Sequence, residues 1–488
     1  MRSVTESVLK SADTRALIAV DLGAESCRVS LLRWIGGNPQ ISLVHRFPNS
    51  AREVNGCLRW DLKMIEAGLD EGVRRCAAIA EEGVRSIAVD GWAVDYVRLD
   101  VEGEPTDDPF CYRDERTVEA ERALHRKITP KRLRELTGVQ LLRINTLYQL
   151  YADALEGLPP RRWLNLPEYM LSRWGGTPVS EFTNATHTQM VGLHHKQWCR
   201  EIFDAAELDL ACAPKLVPPG TTVGKLSGPL AEFPALRDTV LIAPACHDTA
   251  SAIAGIPAGG DDWAYISSGT WSLVGTLIDT PCNDEAAAKE NFTNLGAVGG
   301  PICFHKNVNG MWLIKQCIDE WAAVGRVWTV PELIEAASSA PCPEGLLDVD
   351  DPDLLLAGRM PERINAQRER EGFRVLDNDP TSAPVVASLV FHSLAVRYAQ
   401  VLDLVESLTG KKFRRLFVVG GGSQNKFLNR LTAEATGLEL HCGSPESSTV
   451  GNFSVQMAVL EGSDTGKGIS REEVSRWAGL FLTALGSA

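Results

Sequence analysis

The sequence predicts an α/β protein of two domains, on three observations. Its 488 residues exceed what one hydrophobic core holds. A strand–polar turn–strand unit occurs twice, about half a chain apart, at Ala16–Trp34 and at Trp263–Ile278. Arg415–Val419 then reads as a buried strand that runs through a glycine turn into a helix, and strands alternating with helices in both halves define the α/β class. The two hairpin units echo each other in layout only, without a residue-level repeat.

Each element follows from its residues. Ala16 to Leu22 (ALIAVDL) is an apolar run of strand length, Gly23-Ala24-Glu25-Ser26 is a turn, and Cys27–Trp34 is a second strand. This hairpin carries Asp21 at one shoulder and Ser26 and Arg28 at the other. From Asp61, a suitable N-cap, Leu62, Ile65, Leu69, Val73, Cys76 and Ile79 recur at helical spacing. Ser86 to Val89 is the next core strand, ending at Asp90. The middle third is richer in Pro, Trp and Arg, and the Pro-Pro pairs at 159–160 and 218–219 mark loops. Trp263–Ile266 and Trp271–Ile278 form the second hairpin. After Gly420-Gly421-Gly422-Ser423, a helix carries Phe427, Leu428, Leu431 and Ala435 on one side and ends at Gly437. A last helix starts near Thr449 with Phe453, Met457 and Leu460.

Composition narrows the function. Hydrophobic content of 44% and charged content of 23% are those of an ordinary globular protein. A net charge of -14 argues against a general nucleic-acid binder but leaves room for a small anionic ligand held by local donors. Twelve cysteines without a C-x-x-C pair or zinc spacing read as free thiols in a reducing cytoplasm. Residues 1–15 are a polar extension of mixed charge without a signal-peptide core, and the apolar runs read as far short of a membrane span. The expectation is a cytoplasmic protein with no membrane partner.

Two segments carry the chemistry. Cys246-His247-Asp248-Thr249-Ala250-Ser251 places a carboxylate on a small-residue turn where a hydroxyl can lose its proton. Ser267-Ser268-Gly269-Thr270-Trp271-Ser272 is a tight polar turn suited to phosphate oxygens, and a base beside a phosphate cradle suggests phosphoryl transfer. A carboxylate is a weak base, but the attacking hydroxyl acidifies as its bond to phosphorus forms, so Asp248 can accept the proton late. His247 would orient Asp248 or bond a sugar. The plainer reading makes Asp248 a helix N-cap, which is compatible with the first.

Asp21 can hold a hydrated Mg²⁺, Gly23 lets backbone approach a ligand, and Arg28 can meet phosphate. The alternative there is a hairpin turn with a solvated Asp and a surface Arg. Thr270 can reach phosphate through its hydroxyl and N–H, or sit in a plain turn. Gly420–Gly422 lies between a strand and a helix, which gathers N–H groups for an anion. It matches neither G-x-G-x-x-G nor G-x-x-x-x-G-K-[ST]. Trp92 offers a face for a sugar, with Asp90, Asp95, Tyr112, Arg113 and Asp114 nearby in sequence; the alternative is a strand end with a solvated loop. Asn307 precedes an apolar helix, so capping is its alternative.

Together nine segments resemble the FGGY carbohydrate kinases of the actin/hexokinase-like ATPase superfamily. They are AVDLGAESCRV (19–29), VDGWAVDYVRLD (89–100), YRDERT (112–117), TGVQLLRINTLYQL (137–150), TNATHTQ (183–189), HDTASA (247–252), ISSGTWSLVG (266–275), KNVNGMWL (306–313) and GGGSQN (420–425), in family order. NTLYQL and TNATHTQ resemble the branch that acts on L-rhamnulose more than those acting on glycerol or xylulose.

The resemblance implies an actin/hexokinase/Hsp70-like (ribonuclease H-like) ATPase fold with ATP in an interdomain cleft. Its N-terminal domain would span 16–250 and its C-terminal domain 251–488. It implies transfer of the γ-phosphate of ATP to the 1-hydroxyl of L-rhamnulose with Mg²⁺, in a monomer or homodimer. L-Fuculose, L-ribulose and D-xylulose are the alternative substrates, and a sugar sensor without turnover is a rival of another class. By position it makes Asp248 the proton acceptor and Trp92, Ala93, His247, Asp248, Thr249 and Asn307 sugar contacts. Ala24, Glu25, Ser26, Cys27, Arg28, Thr270, Lys315 and Gly421 become nucleotide contacts, and Asp21 the metal ligand. Three positions depart: Ala93 replaces a glycine, Gly91 a common threonine, and Lys315 a frequent glutamine, with Gln316 beside it. The added methyl of Ala93 is expected to narrow the sugar pocket or shift its preference.

Overall fold

The computed structural model describes residues 13–377, 379–462 and 468–486, so residues 1–12 of the polar extension lie outside the described residues. The chain forms two compact units. The first takes in the chain up to Gly259, Ile278–Cys303 and the chain from Ser447 onward; the second is Gly260–Leu277 with Phe304–Glu446. These units are discontinuous in sequence, whereas the expected boundaries follow the chain linearly.

The first unit is built on a mixed six-stranded sheet. Its strands are β1 (Ala16–Leu22), β2 (Ser26–Ile35), β3 (Asn38–Pro48), β4 (Val84–Gly91), β5 (Thr221–Lys225) and β6 (Val240–Ala243), in the order β5-β6-β4-β1-β2-β3. β1 runs antiparallel to β2 and parallel to β4. Every residue of β1 is buried, which explains the apolar run Ala16–Val20 that precedes Asp21. Ile18, Val20 and Leu22 pack with the stripe Leu62, Ile65, Leu69 and Val73 of α1 (Leu62–Ile79). Asp61 caps that helix, its side chain accepting from the Met64 N–H. Leu17 and Ala19 share a second cluster with Val450, Phe453 and Met457, from a helix near the C-terminus.

Five strands of the second unit repeat the plan: β7 (Trp263–Ser268), β8 (Trp271–Ile278), β9 (Ile302–Asn309), β10 (Arg415–Val419) and β11 (Glu439–Cys442), ordered β9-β8-β7-β10-β11. In both sheets the first strand of a hairpin pairs in parallel with a later strand, β1 with β4 and β7 with β10. This is the structural content of the echo seen in sequence. Helix Lys426–Thr436 follows β10 and ends at Gly437, whose φ of 67° is the left-handed cap expected of a glycine.

One described helix, Ala383–Thr409, has the length and apolar composition of a membrane span, which the sequence reading overlooked because Ser388, His392 and Arg397 interrupt its apolar residues. It packs against Lys426–Thr436 and Val330–Ser339, and 67% of its most apolar window is buried inside the fold. Its apolar surface is thereby accounted for. All twelve cysteines are free thiols.

Candidate functional site

Three carboxylates gather where the central strands of the first sheet end. Asp21 on β1 and Asp90 on β4 are register partners. Burial pushes the Asp21 carboxyl upward against the pull of Arg28, whose Nη1 donates to Oδ2 at 2.8 Å, while the charge of Asp248 adds to the rise. Asp90 is wholly buried, and burial followed by the charge of Asp21 pushes it well above the usual range. Its Oδ2 accepts from Asn452 Nδ2 at 2.6 Å, whereas Oδ1 has no hydrogen-bond partner. The solvated loop considered for Asp90 is therefore replaced by a desolvated acid.

Asp248 differs. It opens the short helix Asp248–Ala254, and 36% of its side chain stays accessible, the most of the three. Burial of its surroundings pushes its pKa up to about 6, which the Thr249 contact and Arg28 oppose. His247, not Asp248, occupies the N-cap position and makes no side-chain cap bond, which corrects the capping alternative. His247 Nε2 lies 3.4 Å from Asp248 Oδ1, and the Thr249 hydroxyl meets that same oxygen at 3.2 Å. Gly91 and His247 form an isolated parallel bridge, so Cys246–Asp248 continues the sheet beside β4.

Further donors to Asp21 and Asp90 come from the helix Ser447–Glu461. Ser448 Oγ donates to Asp21 Oδ2 at 2.7 Å and Asn452 to Asp90, while Gln456 bonds Ser86 Oγ and the Ile18 carbonyl. These residues stand four apart on one face. That polar row, at helical spacing within an otherwise apolar helix, is the sequence signal for this role, beside the apolar Phe453, Met457 and Leu460. The helix also crosses Asp248–Ala254 very closely: a Cβ on Gly451 would sit 1.7 Å from the Ser251 carbonyl oxygen.

The turn before β2 is equally tight, since a Cβ on Gly23 would lie 2.4 Å from the Ser26 carbonyl oxygen. Asn49 braces it through Nδ2 to the Gly23 carbonyl at 3.0 Å and N–H to the Glu25 carbonyl at 2.9 Å. Of the residues expected near nucleotide, Glu25 is exposed and Ala24 and Arg28 are half-buried. The Ser26 hydroxyl already accepts from Arg46, and the Cys27 side chain faces the core, its thiol pushed up to about 12 by burial.

Trp92–Asp95 is also no solvated loop. Asp95 is wholly buried, with burial pushing it up to about 6 against the donors around it. Its Oδ2 accepts from the indole N–H groups of Trp60 (2.6 Å) and Trp92 (3.0 Å) and from the Tyr112 N–H (3.2 Å). The Trp92 ring packs tilted against that of Trp60 with centroids 4.7 Å apart, and both Trp92 and Ala93 are almost covered. Asp114 accepts from the N–H groups of Leu58 and Arg116, and Arg113 lies over the Tyr112 ring. Val94 adopts a φ of 74°, a rare conformation for a β-branched residue.

Behind the Asp248 loop lie two further buried acids that the sequence reading missed. Glu181 accepts from Thr183 Oγ1 (2.6 Å) and from the Cys246 N–H (2.8 Å), and Glu168 from the Glu181 N–H and Asn184 Nδ2. His187, from the same TNATHTQ segment, packs against His247 with ring centroids 3.9 Å apart and the rings tilted by 50°. Burial, and for Glu168 also the charge of Glu181, pushes Glu168 up to about 8 and Glu181 up to about 7. A carboxyl raised on folding stabilises fully below its unfolded pKa and loses that contribution as pH climbs through the folded value. The melting temperature should therefore fall between about pH 4.5 and pH 8, and Glu168→Gln should flatten the fall; an unchanged profile in that variant would clear Glu168 of the effect.

The second unit holds an open cavity of about 910 Å³. Thr270, Lys315, Gly421, Ile334, Phe427 and Arg430 are among its lining residues. Pockets for small organic ligands run from about 300 to 1,000 Å³, so the space suits one. The β7–β8 turn is fixed by the Met311 and Trp312 N–H groups, which donate to the carbonyls of Gly269 and Thr270 at 3.1 Å each. A Cβ on Gly421 would meet nothing within 4 Å, which leaves its backbone open. Lys315 lies 3.9 Å from Asp319 and is half exposed. Asn307 lies within β9 rather than before a helix, so it caps nothing, and it does not line this cavity.

Comparison with known proteins decides the family. Residues 16–255 match the N-terminal domain, and residues 264–460 the C-terminal domain, of the FGGY family of carbohydrate kinases. The chain belongs to that family. It is 36% identical over 454 residues to a rhamnulokinase of Enterococcus faecalis, covering 91% of this chain and 89% of the relative. It is 34% identical to a rhamnulokinase of Bacteroides thetaiotaomicron, covering 91% of each. A ligand-bound xylulose kinase structure from Lactobacillus acidophilus superposes with a TM-score of 0.75 at 17% identity, over 97% of both chains. Plasmodium falciparum glycerol kinase with ADP gives 0.72 at 13% identity, over 97% of this chain and 98% of that one. The two-domain α/β architecture expected from sequence thus holds for this FGGY carbohydrate kinase, with mixed sheets in both units.

Proposed function

We propose that this kinase transfers the γ-phosphoryl group of ATP to the 1-hydroxyl of L-rhamnulose in the cytoplasm, with Asp248 taking the proton. One observation carries the assignment of the base: of the three clustered carboxylates, Asp248 has the greatest access for a substrate hydroxyl. Its raised pKa brings it nearer to that of an acidifying hydroxyl while leaving it ionised at neutral pH. L-Rhamnulose is favoured by the names of the two relatives above and by the segments NTLYQL and TNATHTQ.

His247, Thr249 and Asn307 serve as polar sugar contacts, while Trp92 and Ala93, nearly covered, shape a wall. Thr270, Lys315 and the open backbone of Gly421 serve the nucleotide, along with the turn from Ala24 to Arg28. The residues fit Mg²⁺: Asp21 and the unpartnered oxygen of Asp90 supply acidic oxygens without a closed cage. Such a pair suits an ion that keeps waters and takes phosphate oxygens. When bound, the ion would neutralise charge on the phosphates.

ADP release measured across L-rhamnulose, L-fuculose, L-ribulose and D-xylulose at saturating ATP tests the substrate. L-Rhamnulose should give the highest kcat/KM. A tenfold preference for another ketose would move the assignment to that sugar, and ADP release with none would leave only a binding role.

A further inference from the structure

We infer that the Thr146 hydroxyl and the Gln149 amide are positioning groups that hold the sugar-side turn Trp92–Asp95 in a strained shape and so set the affinity for the ketose. The sugar-side role of that turn rests on the proposed function; the brace itself is read from the geometry.

Val94 is β-branched, buried and left-handed, a combination that persists only where neighbours over-determine it. Those neighbours sit on the helix Thr146–Leu155. Thr146 Oγ1 donates to the Val94 carbonyl at 2.7 Å. Gln149 Nε2 reaches the same carbonyl at 3.3 Å and Asp95 Oδ1 at 3.0 Å. With the other Asp95 oxygen taken by the two indoles, Ala93 sits between two pinned residues. Thr146 and Gln149 are 0% and 1% exposed, so they act through the turn rather than by touching a ligand.

The same helix start reaches the Asp248 side of the unit. Asn145 Nδ2 donates to Gln189 Oε1 at 3.0 Å, at the end of the segment whose Thr183 Oγ1 accepts from the His247 N–H at 3.4 Å. One frame thus supports both the turn and the loop of the proposed base. This gives NTLYQL and TNATHTQ a shared physical task.

The test compares Thr146→Val, which removes only the hydroxyl from an isosteric side chain, with Thr146→Ser, which keeps it. Thr146→Val should raise the ketose KM about tenfold, the size of one buried hydrogen bond, with the ATP KM unchanged. Thr146→Ser should stay within about twofold of the parent by the same reasoning. Val94→Gly, which relaxes the turn from outside the helix, should also raise the ketose KM alone and guards against a Thr146→Val protein that does not fold. The brace is overturned if the parent enzyme turns over a ketose and Val94→Gly and Thr146→Val bind it as the parent does, or if ketose and ATP KM rise together. A parent that turns over no ketose removes the proposed function and the brace with it.

Discussion

Asp248→Asn is expected to lower kcat by roughly 10²- to 10⁴-fold while the KM for ATP changes little. The exchange is isosteric and keeps an oxygen for the Thr249 hydroxyl, so the loop has no reason to move. What disappears is the proposed acceptor for the sugar proton. The variant should melt no lower than the parent, because a charge that raises both Asp21 and Asp90 is gone. The pH profile supplies the second readout. A base must be deprotonated to act, so kcat/KM of the parent should decline with unit slope below about pH 6, where Asp248 takes up its proton. Steady-state ADP release settles both points, and an Asn variant retaining a tenth of parental kcat would strip Asp248 of the role.

Gly451→Ala is expected to destabilise the protein by about 3 kcal/mol, the upper part of the range for overpacking a core. The added carbon would lie 1.7 Å from the Ser251 carbonyl oxygen, and a backbone atom in a helix cannot rotate away. Ser251 sits in the helix that Asp248 begins, so relief by moving that helix would displace the proposed base as well. Thermal melting and kcat should therefore fall together. Gly421→Ala is the control for stability, since its methyl meets open space. Equal melting temperatures for Gly451→Ala and the parent would show that the helices are not packed as described.

Much of the scaffold was legible because local rules fixed it. β1 is buried on both faces, so its apolar run carried the strand; Asp61 and Gly437 capped the helices their spacing outlined. Asp248 and Thr270 stood out as a carboxylate and a hydroxyl beside small residues, and the proposed chemistry is built on them. Periodicity, however, reports which face is apolar and is silent on which distant segment covers it. Asp90 read as a strand end beside solvent because its cover, Asn452, stands 362 residues away. Asn307 read as a cap because a strand and a helix meet within a few residues there. The strain at Val94 had no local sign, since valine is among the residues least given to φ above zero.

The pairing of Asp21 with Ser448, 427 residues downstream, bears on how the molecule is made. At a ribosomal rate of about 5–20 residues per second, roughly 20–85 s separate the emergence of the first strand from that of the helix that closes over it. Through that interval Leu17 and Ala19 have no partner from Val450 or Phe453, and Asp90 lacks the donor that Asn452 supplies. A transcript broken before Ser447 would yield a polypeptide with every strand of its first sheet and no lid for one face, a species prone to sticking to its own copies.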